Sequence, residues 1–381
     1  MKTSFFYIIC FFLFSAITGC NSTHPKKTTP SIQLNPTQKE KLQLSNFDTE
    51  VIQLETTKNS MLKNIQKAFV DYENDRIFIL SRFNLFLFHL DGTYIKKLSV
   101  GRGPGEVLQL SSFTVNKVEK TICVLDMGRD LSFYDYSGNF IKKNKLESFY
   151  SMDAFYKDNE NLFLVCKYVG GSEKYFVGNY NIETTKITKK HISSSKSPYD
   201  ISTNLLMPNS FSYSDNNLLF FSPSIFGLFE LNGENFKQIL KLDIEERMPP
   251  LNFANKLLLN NRSAFRDEAK QRGYIPQLLY AFCFNDYYFV GVDDNEFSCY
   301  AINKKNVNDV FYEETIAKYF NLPKIKSLQL PIGFQKDCII FSCNPSDFFE
   351  DISLSQKTIK LNNKSALTLN IDDNPFLVVI K

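Results

Sequence analysis

Arg76-Ile77-Phe78-Ile79-Leu80, Leu85-Phe86-Leu87-Phe88-His89 and Asp91-Gly92-Thr93-Tyr94-Ile95 make a unit of two apolar runs and a glycine turn. The loop Gly101-Arg102-Gly103-Pro104-Gly105-Glu106 follows. The unit then returns as Thr121-Ile122-Cys123-Val124-Leu125, Leu131-Ser132-Phe133-Tyr134 and Ser137-Gly138-Asn139-Phe140-Ile141. Arg76 to Thr121 is 45 positions, and Gly92 to Gly138 is 46. A repeat of that length, built from short strands and turns, predicts a β-propeller of four-stranded antiparallel blades, an all-β fold.

Working outward, Glu245–Gly273, Glu313–Lys326 and Asn344–Asn370 read as insertions. The rest of Asp48–Lys381 then holds about six units of that length. Blades one and two span Ile65–Ser99 and Leu110–Lys145. Blade three takes Phe149–Tyr156, Leu162–Cys166, Phe176–Tyr180 and Lys186–His191. Blade four takes Phe211–Ser214, Leu218–Ser222, Gly227–Leu231 and Gln238–Ile244. Blade five takes Leu278–Phe284, Tyr287–Val292, Phe297–Ile302 and Val307–Tyr312. Blade six has Leu328–Gly333, Cys338–Ser342 and Pro375–Lys381, one strand short. Glu50–Leu54 alternates like a strand but has no neighbour in sequence. It is assigned to the outer edge of blade six, because a ring closed by both chain ends exposes no free edge. Asn261 followed by Arg262–Lys270 and Gly273 predicts a capped helix.

The N-terminus sets the expected compartment. Lys2 precedes the apolar run Phe5–Phe14 and the small residues Ser15–Gly19, the pattern of a secretory signal over residues 1–19. Ile17-Thr18-Gly19-Cys20 resembles the lipobox of bacterial lipoproteins. That resemblance implies a lipid-carrying Cys20 and a membrane partner through it. Residues 20–45, polar and aperiodic, are expected to be a flexible tether, and residues 46–381 the propeller. No acidic residue directly follows Cys20, which favours the periplasmic side of the cell envelope over the cell surface.

Composition narrows the function classes. A formal net charge of +3 gives no basis for a nucleic-acid partner. Cys123, Cys166, Cys283, Cys299, Cys338 and Cys343 lie in apolar strand runs without metal-ligand spacing, and read as small buried hydrophobes. His24, His89 and His191 are the only histidines, and no phosphate loop or nucleophile elbow is present. The absence of Trp weakens a lectin reading, although Tyr can serve as a sugar platform.

The unit Gly-x-Gly-x-Gly-Glu, strand, Ile-x-Val-Leu-Asp, turn and Phe-Tyr strand is similar to the NHL repeat. Cys20, the Gly101–Glu106 loop and Asp373-Asn374-Pro375 before Phe376–Ile380 together resemble a group of six-bladed β-propeller lipoproteins of Gram-negative bacteria. The resemblance implies fold and localisation. It carries over no activity residue by residue.

Candidate ligand-binding residues follow from connectivity. Loops from outer to inner strands share a face with loops between second and third strands. That face collects Arg82, Arg102, Glu106, Arg129, Asp293 and Asp294 around the channel mouth, where a ligand is expected. The plainer reading pairs Arg102 with Glu106 across blades and makes Asp293–Glu296 a solvated turn. Two functional classes remain. One is a binding or scaffold lipoprotein for a peptide, glycan or protein ligand. The other is a metal-assisted lactonase-like or lyase-like enzyme. No catalytic or metal-binding residue is assigned and no cofactor is expected, although the enzyme reading would put a divalent ion such as calcium in the channel.

Overall fold

The computed structural model describes residues 29–34, 42, 44, 47–147, 149–166, 168–169, 174–199, 202–203, 209–323, 325–349, 356–360 and 366–381. Cys20 and the expected signal lie outside them. Six four-stranded antiparallel sheets form the six blades of a propeller. Blade one comprises Ile65–Asp71, Arg76–Ser81, Asn84–Phe88 and Tyr94–Lys97, and blade two Leu110–Asn116, Thr121–Asp126, Asp130–Asp135 and Phe140–Lys145. Blades three, four and five begin at Ser151–Tyr156, Phe211–Ser214 and Leu278–Phe284. Blade six begins at Pro331–Phe334.

The burial pattern explains the sequence pattern. Second strands such as Arg76–Ser81 and Thr121–Asp126 are buried at every position but the first. Neighbouring blades cover both of their faces, so they read as unbroken apolar runs rather than alternating ones. The outer strand Phe140–Lys145 is largely exposed and correspondingly rich in Lys. Phenylalanine fills the wedges between blades: Phe78 sits 6.4 Å from Phe113 and 5.1 Å from Tyr136, ring centre to ring centre.

The ring closes as expected. Thr49–Ile52 pairs antiparallel with Phe376–Ile380, which pairs with Ile339–Cys343, so both chain ends share blade six. Asn374 makes the joint rigid. Its side chain accepts from the Leu62 N–H at 2.7 Å and donates to the carbonyls of Glu55 and Ser60 at 2.7 and 2.8 Å. Its own N–H donates to Thr56 Oγ1 at 2.7 Å. The Asp-Asn-Pro motif is thus a staple between the C-terminal strand and the segment entering blade one.

Two elements depart from expectation. Ser31–Gln33, inside the expected tether, adds a fifth strand to blade four, parallel to Lys241–Asp243. Ile32 and Leu34 are buried there, so this stretch packs on the blade. The third insertion carries a hairpin, Gln356–Lys360 with Ala366–Asn370.

Connectivity assigns the loops to faces. The Gly101–Glu106 loop and all three insertions leave the same face, because they join outer to inner strands or, in blade six, the second strand to the third. Opposite them lie the short turns between first and second strands.

The candidate ligand cavity in the channel

Inner strands line the channel, and a repeated irregularity aims their side chains. Register shifts by one residue just after the start of the inner strand in blades one, two and three, between Ile65 and Lys67, Leu110 and Ser112, and Ser151 and Asp153. Such a bulge kinks the strand and redirects the next side chain. Lys67, Ser112 and Asp153 therefore occupy one structural position in three consecutive blades, and they meet. Lys67 Nζ is 2.8 Å from Asp153 Oδ1 and 3.0 Å from Ser112 Oγ, and Ser112 donates to the same carboxylate oxygen at 2.5 Å. The backbone N–H groups of Ala154 and Ser210 complete Asp153, each at 2.9 Å. With Asp153 only 1% exposed, its charge is compensated by one cation and three further donors, as a buried carboxylate requires.

Above this polar floor opens a cavity of about 650 Å³. Phe113, Phe155, Phe211, Tyr213 and Phe334 line its wall, with the first-to-second strand turns of blades one, two, three and six at its rim. Phe155 packs against Phe211 at 5.3 Å and Tyr213 at 5.8 Å. The rim is held by polar contacts between blades. Asn116 donates to Asn159 at 2.9 Å, and Gln335 exchanges two 2.8 Å bonds with the Val70 backbone. Tyr72 donates to Glu50 at 2.6 Å, and Lys381 bonds the same carboxylate at 2.7 Å while lying over the Tyr72 ring. Burial and the Glu50 acceptor push the Tyr72 phenol upward. Burial opposes ionisation of Glu50, but the bonds from Lys381 and Tyr72 outweigh it and hold its carboxyl below the ordinary range.

Most lining charges are thus matched by a partner. Lys157 pairs with Glu234 at 3.1 Å, and Lys117 lies 3.9 Å from Asp71. Tyr213 differs: it faces the cavity, and no described residue hydrogen-bonds to its hydroxyl. Burial pushes that phenol upward, so it is a neutral group able to donate or accept. The chemistry on offer is aromatic stacking, amide and hydroxyl hydrogen bonding, and little net field.

None of the six residues expected to contact a ligand lines this cavity, which opens on the face of the short turns. Arg82, Arg102, Glu106 and Arg129 lie on the loop face. The expected Arg102–Glu106 pair is absent among the described residues. Instead Glu106 accepts from the Gly103 N–H at 2.7 Å, inside its own loop. A Cβ on Gly101 would lie 2.0 Å from that carboxylate, so a larger residue there would force the Glu106 side chain to shift. Asp293 and Asp294 are buried, not solvated. Arg266, Lys270 and Gln277 surround Asp293, and Arg247 bonds Asp294 at 3.1 Å. Arg266 and Lys270 lie on the helix Arg262–Gln271, capped by Asn261. The two aspartates thereby dock the insertion between blades four and five. The signal that could have revealed the cavity is the shared bulge position, but a bulge leaves no mark in a single repeat.

Among the described residues no three His, Cys, Asp or Glu side chains gather as a metal site. No disulfide joins the six described cysteines, and burial pushes Cys299, Cys338 and Cys343 up to about 12. Burial also draws His191 down to about 4, reinforced by Lys189 and Lys157.

No curated protein matches the chain. Its fold resembles the crystal structure of a candidate exported protein from Bacteroides fragilis, with 16% identity, a TM-score of 0.68, and coverage of 92% of this chain and 98% of that one. The WD40 domain of Pan2 from Neurospora crassa is a looser likeness at 10% identity, a TM-score of 0.40 and 83% and 74% coverage, too distant to carry an argument. Residues 29–381, from the added strand of blade four to the closing strand of blade six, match one family throughout, and the chain belongs to that family, the domain of unknown function DUF4934.

Proposed function

We propose that this chain is an exported binding module of the cell envelope that takes a near-neutral ligand, a short glycan or peptide, into the channel cavity. The observation that carries the proposal is the cavity itself. About 650 Å³ of space has aromatic walls, a polar floor and one uncommitted buried-side hydroxyl. Sites of that size, apolar with a few placed polar groups, are typical for compact organic ligands. The Lys67–Asp153 pair is neutral as a unit, so it suits a hydroxyl or amide better than a free charge.

The lipid anchor at Cys20, the NHL-like character of the first two blades and the periplasmic side belong to the same reading. Export is supported by the signal pattern of residues 1–19 and by the described character of the Bacteroides fragilis relative. Replacing Cys20 with Ala should release folded protein from membranes; retention after signal cleavage would remove the anchor from the account.

The test of the cavity uses a thermal-shift screen of oligosaccharides and short peptides, followed by calorimetry on Tyr213→Phe. A stabilising ligand should bind this variant roughly two- to tenfold more weakly, the worth of one hydrogen bond, with the melting temperature unchanged. Unchanged affinity for every such ligand would place binding elsewhere.

A further inference from the structure

We propose that the loop face of blades one to three is a second recognition surface, for a protein segment that presents carboxylates beside an apolar anchor. Four large apolar side chains stand exposed there: Phe83 at 47%, Met127 at 52%, with Leu108 and Tyr150. Backbone bonds hold them side by side. The Phe83 carbonyl accepts from Leu110 N–H at 3.3 Å, the Gln109 carbonyl accepts from Met127 N–H at 2.8 Å, and Gly128 bonds Ser151 beside Tyr150 at 2.8 Å. Contiguous exposed apolar groups of this kind mark interaction sites rather than ordinary surface.

Backbone strain is an independent observation. Arg82 and Phe83 are consecutive non-glycine residues at φ 45° and 68°. The carbonyl of Phe83 receives the next inner strand, as that of Gly128 does one blade later. Blade two satisfies this geometry with glycine, at φ 72°. Blade one places a large ring in the same role and leaves about half of it exposed. The two residues make the tight turn between the paired Ser81 and Asn84, a turn that favours Gly, Asn or Asp, so a large ring there is an unusual choice.

Charge identifies the occupant. Among the described residues, Arg82, Arg102 and Arg129 have no carboxylate at ion-pair distance. Two nearby acids are committed, Glu106 within its loop and Asp126 to the N–H groups of Leu108 and Gln109. Arg129 stacks on the Tyr150 ring at 4.0 Å, which pre-orders its guanidinium for a two-pronged carboxylate contact. Arg, Met and aromatic residues together are the composition of protein interfaces.

The experiment displays a random peptide library to the full processed chain. Enriched peptides should carry Asp or Glu beside a large apolar residue. Phe83→Gly should weaken them about tenfold, and so should Arg129→Glu. Phe83→Gly should melt no lower than the parent, because glycine accepts positive φ. Tyr213→Phe, in the channel, should leave these peptides bound. The proposal fails if no acidic–apolar motif is enriched, if Phe83→Gly leaves affinity intact, or if Tyr213→Phe weakens the same peptides. It also fails if the patch residues instead govern binding to phosphatidylglycerol vesicles or self-association.

Discussion

Replacing Lys67 with Met removes the cation from the channel floor, together with its bonds to Asp153 and Ser112, while filling a similar volume. Breaking a buried ion pair costs about 3–5 kcal/mol when the surviving charge is left bare. Here Asp153 keeps Ser112 and two backbone N–H donors, and the Lys67 side chain is itself 14% exposed. The expected loss is therefore about 2 kcal/mol. Asp153→Asn is the harsher change. It strands Lys67 and sets an amide among four donors, for an expected loss of about 4 kcal/mol. A domain of this size has an unfolding entropy near 0.7 kcal/mol per degree, so the melting temperature should fall by about 3 °C and about 6 °C respectively. Circular dichroism melts and urea titrations of the processed chain measure both. If Lys67→Met were the more damaging, or if Asp153→Asn melted within a degree of the parent, Asp153 would not be the hub of the floor.

Three further outcomes follow from the same contacts. Asn374→Ala removes three side-chain hydrogen bonds across the ring closure and should cost about 3 kcal/mol by denaturant titration; a chain starting at Lys58, without the closing strand, should lose far more or fail to fold. A chain starting at Phe47 loses burial of Ile32 and Leu34 and should lose about 3 kcal/mol yet melt as a closed ring, so that an unchanged melt would show the fifth strand to be inert. His191 has a buried and unpartnered Nε2 between Phe163 and Phe236, and burial draws it down to about 4 from the ordinary value of 6.5. Its folded value is the lower, so the unfolded chain gains the proton first and stability is complete above 6.5 and lost as pH falls toward 4. At pH 5 the loss is about 2 kcal/mol, which His191→Phe should abolish in a pH series of melts.

The strands were legible because a ring of stacked blades imposes its burial on the sequence. The runs at Arg76–Leu80 and Thr121–Leu125 had to be apolar throughout, and Glu50–Leu54 betrayed the closure by being a strand with no neighbour. Ser31–Gln33 was not legible, since a three-residue parallel strand has no turn signal and pairs with Lys241–Asp243 over two hundred positions away. The site divided in the same manner. Connectivity assigned Arg82, Arg102 and Arg129 to the correct face. It could not show that Asp293 and Asp294 are claimed by Arg266, Lys270 and Arg247, which arrive on an insertion whose docking depends on tertiary packing. Nor could it show which mouth stays open. That depends on Lys67 and Asp153 meeting across the channel from blades one and three.

The central claim is that the channel cavity is where this propeller binds its ligand. The most direct measurement is a crystal structure of the processed chain with a compound selected by thermal shift. The account predicts density above the Lys67–Asp153 floor, against Phe155 and within hydrogen-bond distance of the Tyr213 hydroxyl. A stabilising compound found bound outside the channel, with the cavity holding only solvent, would contradict it.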